Sequence, residues 1–154
     1  MTRTDVHALA RAFARYNKRR EQYERYFKEQ QQGLRATIVA LAGEAEAEAV
    51  GYSNLLWQSG YEPFRREAIP EITDLNVVAE FRRRGIGTAL IGECERIAAA
   101  HGKKIIGIGV GLTPDYEAAR RLYPSLGYVY DGRGVHANPP WDDAMYLTKS
   151  LTLQ

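Results

Sequence analysis

The sequence predicts an α+β fold, and three observations along the chain lead to this class. A helical stripe of apolar residues opens the chain, a strand hairpin follows at residues 35–57, and a later strand passes through a basic, glycine-containing turn into a helix. The chain has 154 residues, of which 45% are hydrophobic, enough for one core without metal or disulfide support. We therefore expect a single domain covering residues 1–154.

The opening helical stripe is carried by apolar residues at steps of three, four and seven between residues 5 and 32. Its members are Leu9, Phe13, Tyr16, Tyr23 and Phe27. Asn17 is a poor helix-interior residue and favours two helices, and Gly33 ends the pattern. β-branched and aromatic residues then predict paired strands at 35–42 and 48–57.

The second half of the chain alternates strands and helices. The run at 105–110 is apolar without alternation, which predicts a strand buried on both faces. Thr113 and Pro114 have the residue types of an N-cap and a first helical position. The remaining predicted elements are a loop at 58–70, a strand at 71–78, a helix from Ile86, a short helix to about Tyr123, and strands at 128–131 and 144–149.

The composition argues against several classes of protein. Cys94 is the only cysteine, and His and Cys nowhere show metal-ligand spacing, so neither a disulfide framework nor a metal site is expected. No apolar run approaches the roughly 20 residues of a membrane span, and the first residues lack the apolar core of a signal peptide. We expect a soluble, cytoplasmic protein that does not act at a membrane.

Charge gives only weak support for nucleic-acid binding. The formal net charge is +2, although residues 1–35 hold nine Lys or Arg against four Asp or Glu. Glu21, Glu24 and Glu29 interleave with these basic residues, which is typical of a solvated helix face. We therefore expect no nucleic-acid partner.

The turn at residues 82–88, Arg-Arg-Arg-Gly-Ile-Gly-Thr, combines positive charge, two glycines and the start of a helix. Glycines let the backbone approach a ligand closely, and the N–H groups of a first helical turn are unpaired, so an anion fits there. Three arginines favour a diphosphate. The turn lacks the Gly-Lys-Ser/Thr of P-loops, and Leu90 occupies the third glycine position of the dinucleotide fingerprint. The alternative is a solvated turn whose glycines only permit the bend.

Residues 82–87 resemble the signature of the GNAT acetyltransferase family, which is Arg or Gln, two residues, Gly, one residue, then Gly or Ala at a strand-to-helix junction. Residues 74–81 resemble the strand before that signature, with Ala79 in place of the usual proline, and residues 119–128 resemble the family's later helix and turn. This resemblance, over residues 71–128, implies an α/β/α-layered fold: a mixed, mostly antiparallel sheet flanked by helices. Its first strand would be short or missing here.

The resemblance also implies acetyl-coenzyme A as acyl donor, with no metal. The pyrophosphate would lie on backbone amides of residues 83–88, with Arg82 shaping the turn, and the pantetheine arm would pair with the backbone of a bulged strand. The implied cofactor-binding residues are Leu75, Asn76, Val77, Arg82, Arg83, Arg84, Gly85, Ile86, Gly87 and Thr88.

Three catalytic roles follow from the same resemblance. Tyr123 stands where relatives carry the tyrosine that protonates the coenzyme A sulfur, although Pro124 places it in the last turn of its helix. Glu71 or Asp74 would accept the amine proton, directly or through water, and a backbone N–H near Val77 would stabilise the oxyanion. The alternatives are a packed aromatic for Tyr123 and salt-bridging carboxylates for the other two.

We expect the N-terminal helices and the loops at 58–70 and 131–143 to determine which acceptor the protein binds. These segments supply the aromatic residues Trp57, Tyr61, Phe64, His136 and Trp141, which could equally cover the core. The expected function is an N-acetyltransferase acting on a primary amine of a small molecule. The alternatives are a protein or peptide acetyltransferase and a non-catalytic acyl-coenzyme A binding module. An uncovered sheet edge leaves room for a homodimer.

Overall fold

The computed structural model describes residues 1–151 and confirms the α+β class. Its helices and strands, in chain order, are α1 (Arg3–Ala12), α2 (Arg20–Gln31), β1 (Arg35–Ala42), β2 (Glu48–Leu56), α3 (Glu62–Arg66), β3 (Glu71–Val77), α4 (Ile86–Ala100), β4 (Ile105–Gly111), α5 (Glu117–Ser125), β5 (Val129–Tyr130) and β6 (Ala144–Ser150). The first strand follows two helices, and the strand pairs are mostly antiparallel, as the sequence predicts.

The chain divides into two compact units, one comprising residues 1–57 and 72–97 and the other residues 58–71 and the chain from Ala98 onward. Strands of the first unit are ordered β1-β2-β3, and β1 and β2 are antiparallel. Strands of the second unit are ordered β4-β6-β5, and both of these pairs are antiparallel.

The N-terminal helices pack against β2 in the first unit. Thr2 caps α1 through a reciprocal pair of hydrogen bonds with Asp5, which satisfies backbone N–H groups that the helix itself leaves unpaired. Asn17 takes a left-handed conformation with φ of 59° and separates α2 from the preceding turn, as predicted. The rings of Phe13 and Tyr23 contact Tyr52 of β2 edge-on, with centroids 4.9 and 5.4 Å apart.

The predicted buried strand at 105–110 is confirmed as β4, but aromatic rings cover one of its faces. Gly107, Gly109 and Gly111 share that face because strand side chains alternate. A Cβ atom added to Gly107 would lie 2.1 Å from Cε2 of Phe64, and one added to Gly111 would lie 2.3 Å from Cε2 of Tyr116. The glycines therefore let rings of the second unit rest directly on the strand backbone.

One local expectation is wrong, because the predicted loop at 58–70 contains the short helix α3. Thr113 and Pro114 are the N-cap and first residue of a short 3-10 turn before α5, although the Thr113 side chain makes no capping hydrogen bond. Helix α5 continues through Pro124 to Ser125, because proline in a last turn removes only its own N–H while its carbonyl still accepts the Gly127 N–H at 3.0 Å.

Across residues 1–151, each helix is too short or too polar to cross a bilayer. Within the same range, no grouping of three or more His, Cys, Asp or Glu has the arrangement of a metal site.

Candidate functional site

The basic turn lies between β3 and α4 in the first unit. Arg83 and Gly85 both take left-handed conformations, with φ of 64° and 81°. Arg82 extends its side chain back along the turn, and its Nε donates a hydrogen bond to the Val77 carbonyl at 3.0 Å. The guanidinium carbon of Arg84 lies over the Phe81 ring, 4.9 Å from its centre. The turn is therefore held by its own side chains, and Arg82 has a structural contact within it.

The space above this turn is open. No heavy atom outside the local backbone lies within 4 Å of a Cβ built on Gly85 or on Gly87. Helix α4 begins at Ile86, so the first N–H groups of the helix face this region unpaired by the helical ladder. Arg82 and Arg83 are exposed beside it. Open backbone, helix N-terminus and cationic side chains together fit a diphosphate group.

Strand β3 carries its backbone irregularity at Asp74. This residue has φ of 52°, a left-handed conformation that Asp and Asn tolerate better than most residues. The bulge implied by the family resemblance maps onto residues 75–77, and the left-handed residue lies directly before them. A Cβ on Gly51 of β2 would approach the Asn76 carbonyl oxygen to 3.0 Å, so a side chain at position 51 would press on the backbone of β3.

Asp74 collects four polar side chains around its carboxylate. Tyr26 Oη donates to Oδ2 at 2.6 Å and Gln22 Nε2 donates to the same oxygen at 3.2 Å. Asn76 Nδ2 donates to Oδ1 at 2.7 Å, and Lys18 Nζ lies 3.8 Å from Oδ1. About a quarter of the Asp74 side chain stays exposed. The group therefore combines fixed hydrogen bonds with solvent access.

The Asp74 group affects the neighbouring phenols. Burial, followed by the negative charge of Asp74, raises the pKa of Tyr26 and of Tyr52 well above the usual range for tyrosine. Both hydroxyls are therefore protonated at neutral pH, and Tyr26 can serve as a donor. Gln22 and Tyr26 lie four residues apart on one face of α2, and Lys18 lies four residues before Gln22, just ahead of the helix. This spacing is the sequence signal from which the Asp74 group could have been found.

Glu71, in the second unit, is almost fully buried with 8% of its surface exposed. Its carboxylate accepts a hydrogen bond from Ser59 Oγ, which in turn accepts the Tyr61 backbone N–H at 2.9 Å. Burial raises the pKa of Glu71 to about 7, and the Ser59 hydrogen bond opposes part of that rise. No cation pairs with Glu71 within residues 1–151, so the salt-bridge alternative for this carboxylate is wrong.

Three of the aromatic residues assigned to the acceptor side meet in the second unit. The Tyr61 ring stacks on Tyr146 with centroids 3.7 Å apart and meets Phe64 edge-on at 4.8 Å. Tyr61 Oη donates to Asp131 at 2.7 Å, and Nε2 of His136 lies 3.2 Å from the same oxygen. Tyr61 and Phe64 are buried, so both of these side chains serve the core.

Trp141 does not join this cluster, because its side chain is 73% exposed on the loop before β6. Trp57 directly follows β2 and belongs to the first unit. The structure therefore brings together Tyr61, Phe64 and His136 but not the whole predicted aromatic set.

Tyr123 is buried in α5, with its ring 6.3 Å from that of Tyr128. Its carbonyl accepts the N–H groups of Leu126 and Tyr128, both at 3.1 Å, so the residue belongs to the helix end as expected. Burial, with a smaller contribution from Tyr116, raises the pKa of Tyr123 to about 12. The hydroxyl therefore carries its proton at neutral pH.

The sequence matches the model of the acetyltransferase (GNAT) family over residues 4–128. The chain belongs to this family. An uncharacterized N-acetyltransferase of Archaeoglobus fulgidus is 34% identical over 87 residues, which are 55% of this chain and 56% of that relative. The match thus spans little more than half of the relative's length.

Solved structures give the same fold for this GNAT chain. The ribosomal-protein-alanine N-acetyltransferase of Brucella melitensis has a TM-score of 0.73 at 21% identity, covering 98% of this chain and 97% of that one. An aminoglycoside 6'-N-acetyltransferase complexed with coenzyme A has a TM-score of 0.68 at 19% identity, and the match covers 99% of this chain and 94% of that one. The predicted family and layered fold are confirmed.

Proposed function

We propose that this GNAT chain is an acetyl-coenzyme A-dependent N-acetyltransferase that acts on a primary amine of a small molecule. The observation that carries the proposal is the turn between β3 and α4. Gly85 and Gly87 leave their backbone open there, beside exposed Arg82 and Arg83 and a helix N-terminus. The pyrophosphate of the acyl donor would lie on amides of residues 83–88, and Leu75, Asn76 and Val77 would pair with the pantetheine arm.

In the proposed reaction the neutral amine nitrogen attacks the thioester carbonyl carbon. A C–N bond forms, the C–S bond breaks, and the amine loses one proton to a base while the thiolate gains one from an acid. Tyr123 supplies the acid, because its hydroxyl keeps its proton at neutral pH. Glu71 is the better candidate for base than Asp74, since burial raises its pKa to about 7, close to a working pH.

The acceptor could instead be a protein, since similar folds include the ribosomal-protein enzyme as well as the aminoglycoside enzyme. A small acceptor is favoured by the Asp74 group, where one partly exposed carboxylate and one lysine form a compact polar site. We also propose that the protein acts in the cytoplasm.

Calorimetric titration with acetyl-coenzyme A tests the donor site, with the variant Gly87→Glu beside a matched control, Gly92→Glu. Both glycines lie on α4 with open space at the Cβ position, so both variants should fold, but only the first puts a carboxylate where the phosphates would lie. We expect binding by the wild type and the control, and a loss of at least tenfold in affinity for Gly87→Glu. Equal affinities of all three proteins would overturn the site assignment.

Turnover is tested by thiol release with a panel of primary amines and an N-terminal peptide. Release with small amines supports the proposal, and release with the peptide alone would move the function to protein acetylation. Binding of acetyl-coenzyme A without release from either class would identify a non-catalytic acyl-coenzyme A binding module.

A further inference from the structure

We propose that the Asp74–Lys18 pair binds the ammonium and carboxylate of an amino-acid-type zwitterion, which makes amino acids the acceptor class. This inference rests on the proposed acetyl transfer and goes beyond it by naming the substrate. Asp74 would take the ammonium group and Lys18 the carboxylate, and the ammonium group would release one proton to water before the neutral amine attacks the thioester. Asp74 lies directly before residues 75–77, the segment assigned to the pantetheine arm.

The hydrogen-bond arrangement leaves one position on Asp74 for a cation. A carboxylate oxygen accepts about two hydrogen bonds. Oδ2 already accepts hydrogen bonds from Tyr26 and Gln22, whereas Oδ1 accepts only one, from Asn76 at 2.7 Å. Lys18 Nζ lies 3.8 Å from Oδ1, beyond hydrogen-bond distance. An ammonium group can therefore reach Oδ1 without displacing any existing hydrogen bond.

The Asp74–Lys18 contact is weak enough to open. Both side chains are about a quarter exposed, and the contact has the length of a loose ion pair, which contributes little to stability. A zwitterion that enters between the two groups gives each of them a partner of opposite charge. Replacing the Asp74–Lys18 contact by contacts with the zwitterion therefore leaves neither side chain without a partner of opposite charge.

The surrounding charges favour a zwitterion over a diamine. Arg19 and Arg25 line a shallow depression together with Gln22 and a single carboxylate, Glu21, and neither arginine makes an ion pair within residues 1–151. Arg35, over the Tyr26 ring, is already paired with Glu29. A second ammonium group would meet this excess of positive charge, whereas a carboxylate is attracted by it.

The test compares L-amino acids with their amides, which keep the amine but lose the carboxylate charge. For each protein the acid-to-amide ratio of kcat/KM is measured in wild type, Lys18→Met and a control, Lys28→Met. Lys28 is an exposed lysine of α2 that forms no ion pair in the described chain, so its variant makes the same change in net charge. We expect Lys18→Met to lower the ratio at least tenfold and Lys28→Met to leave it unchanged.

A binding measurement gives a second readout that needs no turnover. Asp74→Asn keeps a residue type that tolerates the left-handed conformation, so the variant should fold. We expect calorimetry to show amino-acid binding to wild type and at least tenfold weaker binding to Asp74→Asn. If both wild type and Lys18→Met turn over amines with equal acid-to-amide ratios of kcat/KM, this inference is overturned and the proposed function is not. Absence of thiol release with every amine would overturn the proposed function, and the binding comparison would still decide the subsite.

Discussion

The Ser59 hydroxyl donates a hydrogen bond to the Glu71 carboxylate at a position where both side chains are buried. The carboxylate has no cationic partner among the described residues, and the neutral Ser59 hydroxyl donates to it. A buried carboxyl in this situation favours its protonated form, which explains why its pKa is raised to about 7.

This raised pKa predicts a pH-dependent stability. Between the ordinary carboxyl pKa of 4.5 and about 7, the folded protein binds a proton at Glu71 that the unfolded chain has released. The contribution of this group to the free energy of unfolding is therefore complete below about pH 4.5 and is lost as the pH rises to 7. Urea unfolding at pH 5 and pH 8 measures how much the free energy of unfolding falls as the pH rises. This fall should be smaller in Glu71→Gln than in wild type, by on the order of 3 kcal/mol at most. Identical pH dependence in both proteins would show that Glu71 titrates normally.

Replacing a glycine by alanine should destabilise the protein on the ring-covered face of β4 but not on the open surface of α4. Gly107→Ala places its Cβ against the buried Phe64 ring, and relief requires a shift of packed aromatic side chains. We expect the free energy of unfolding to fall by about 1–3 kcal/mol. Gly92→Ala, in α4 with open space at Cβ, should be neutral or stabilising by up to about 1 kcal/mol. Denaturant unfolding measures both, and equal effects would contradict the packing described for β4.

Tyr61→Phe should loosen the loop before β6 without disturbing the core. The phenylalanine ring keeps the stack on Tyr146, but the hydrogen bond to Asp131 and the contact with His136 are lost. We expect a loss of about 1 kcal/mol in stability and faster hydrogen exchange at the His136 amide, which donates to the Ala144 carbonyl at 2.8 Å. Unchanged exchange at that amide would mean that the backbone pairing alone holds the loop.

Tyr123→Phe tests the proposed acid separately from donor binding. If the hydroxyl protonates the leaving thiolate, kcat should fall by about 10²–10⁴-fold while calorimetric affinity for acetyl-coenzyme A stays the same. Because its pKa is about 12, the wild-type rate should show no loss from Tyr123 ionisation below about pH 10. A rate within a few-fold of wild type would leave Tyr123 as a packed aromatic residue of α5.

Local signals sufficed for most of the fold and for the donor loop. Asn17 and Gly33 separate elements because their backbone preferences act within one or two residues, and both positions have positive φ in the structure. The turn at 82–88 was readable because the glycines, the charges and the helix start are contiguous in the chain. The helix α3 was missed because its five residues carry too little periodicity to be distinguished from a loop.

The sequence by itself determined the family, the order of elements and the loop proposed to hold the acyl donor. Only the tertiary structure decided which hydrogen-bond partners each polar side chain has and how its pKa is shifted. Asp74 and Lys18 are 56 positions apart in the chain, and Ser59 and Tyr61 reach Glu71 and Asp131 only after folding. Burial and hydrogen bonding to such distant residues set the charge and the pKa of a side chain, and neither can be inferred from its sequence neighbours.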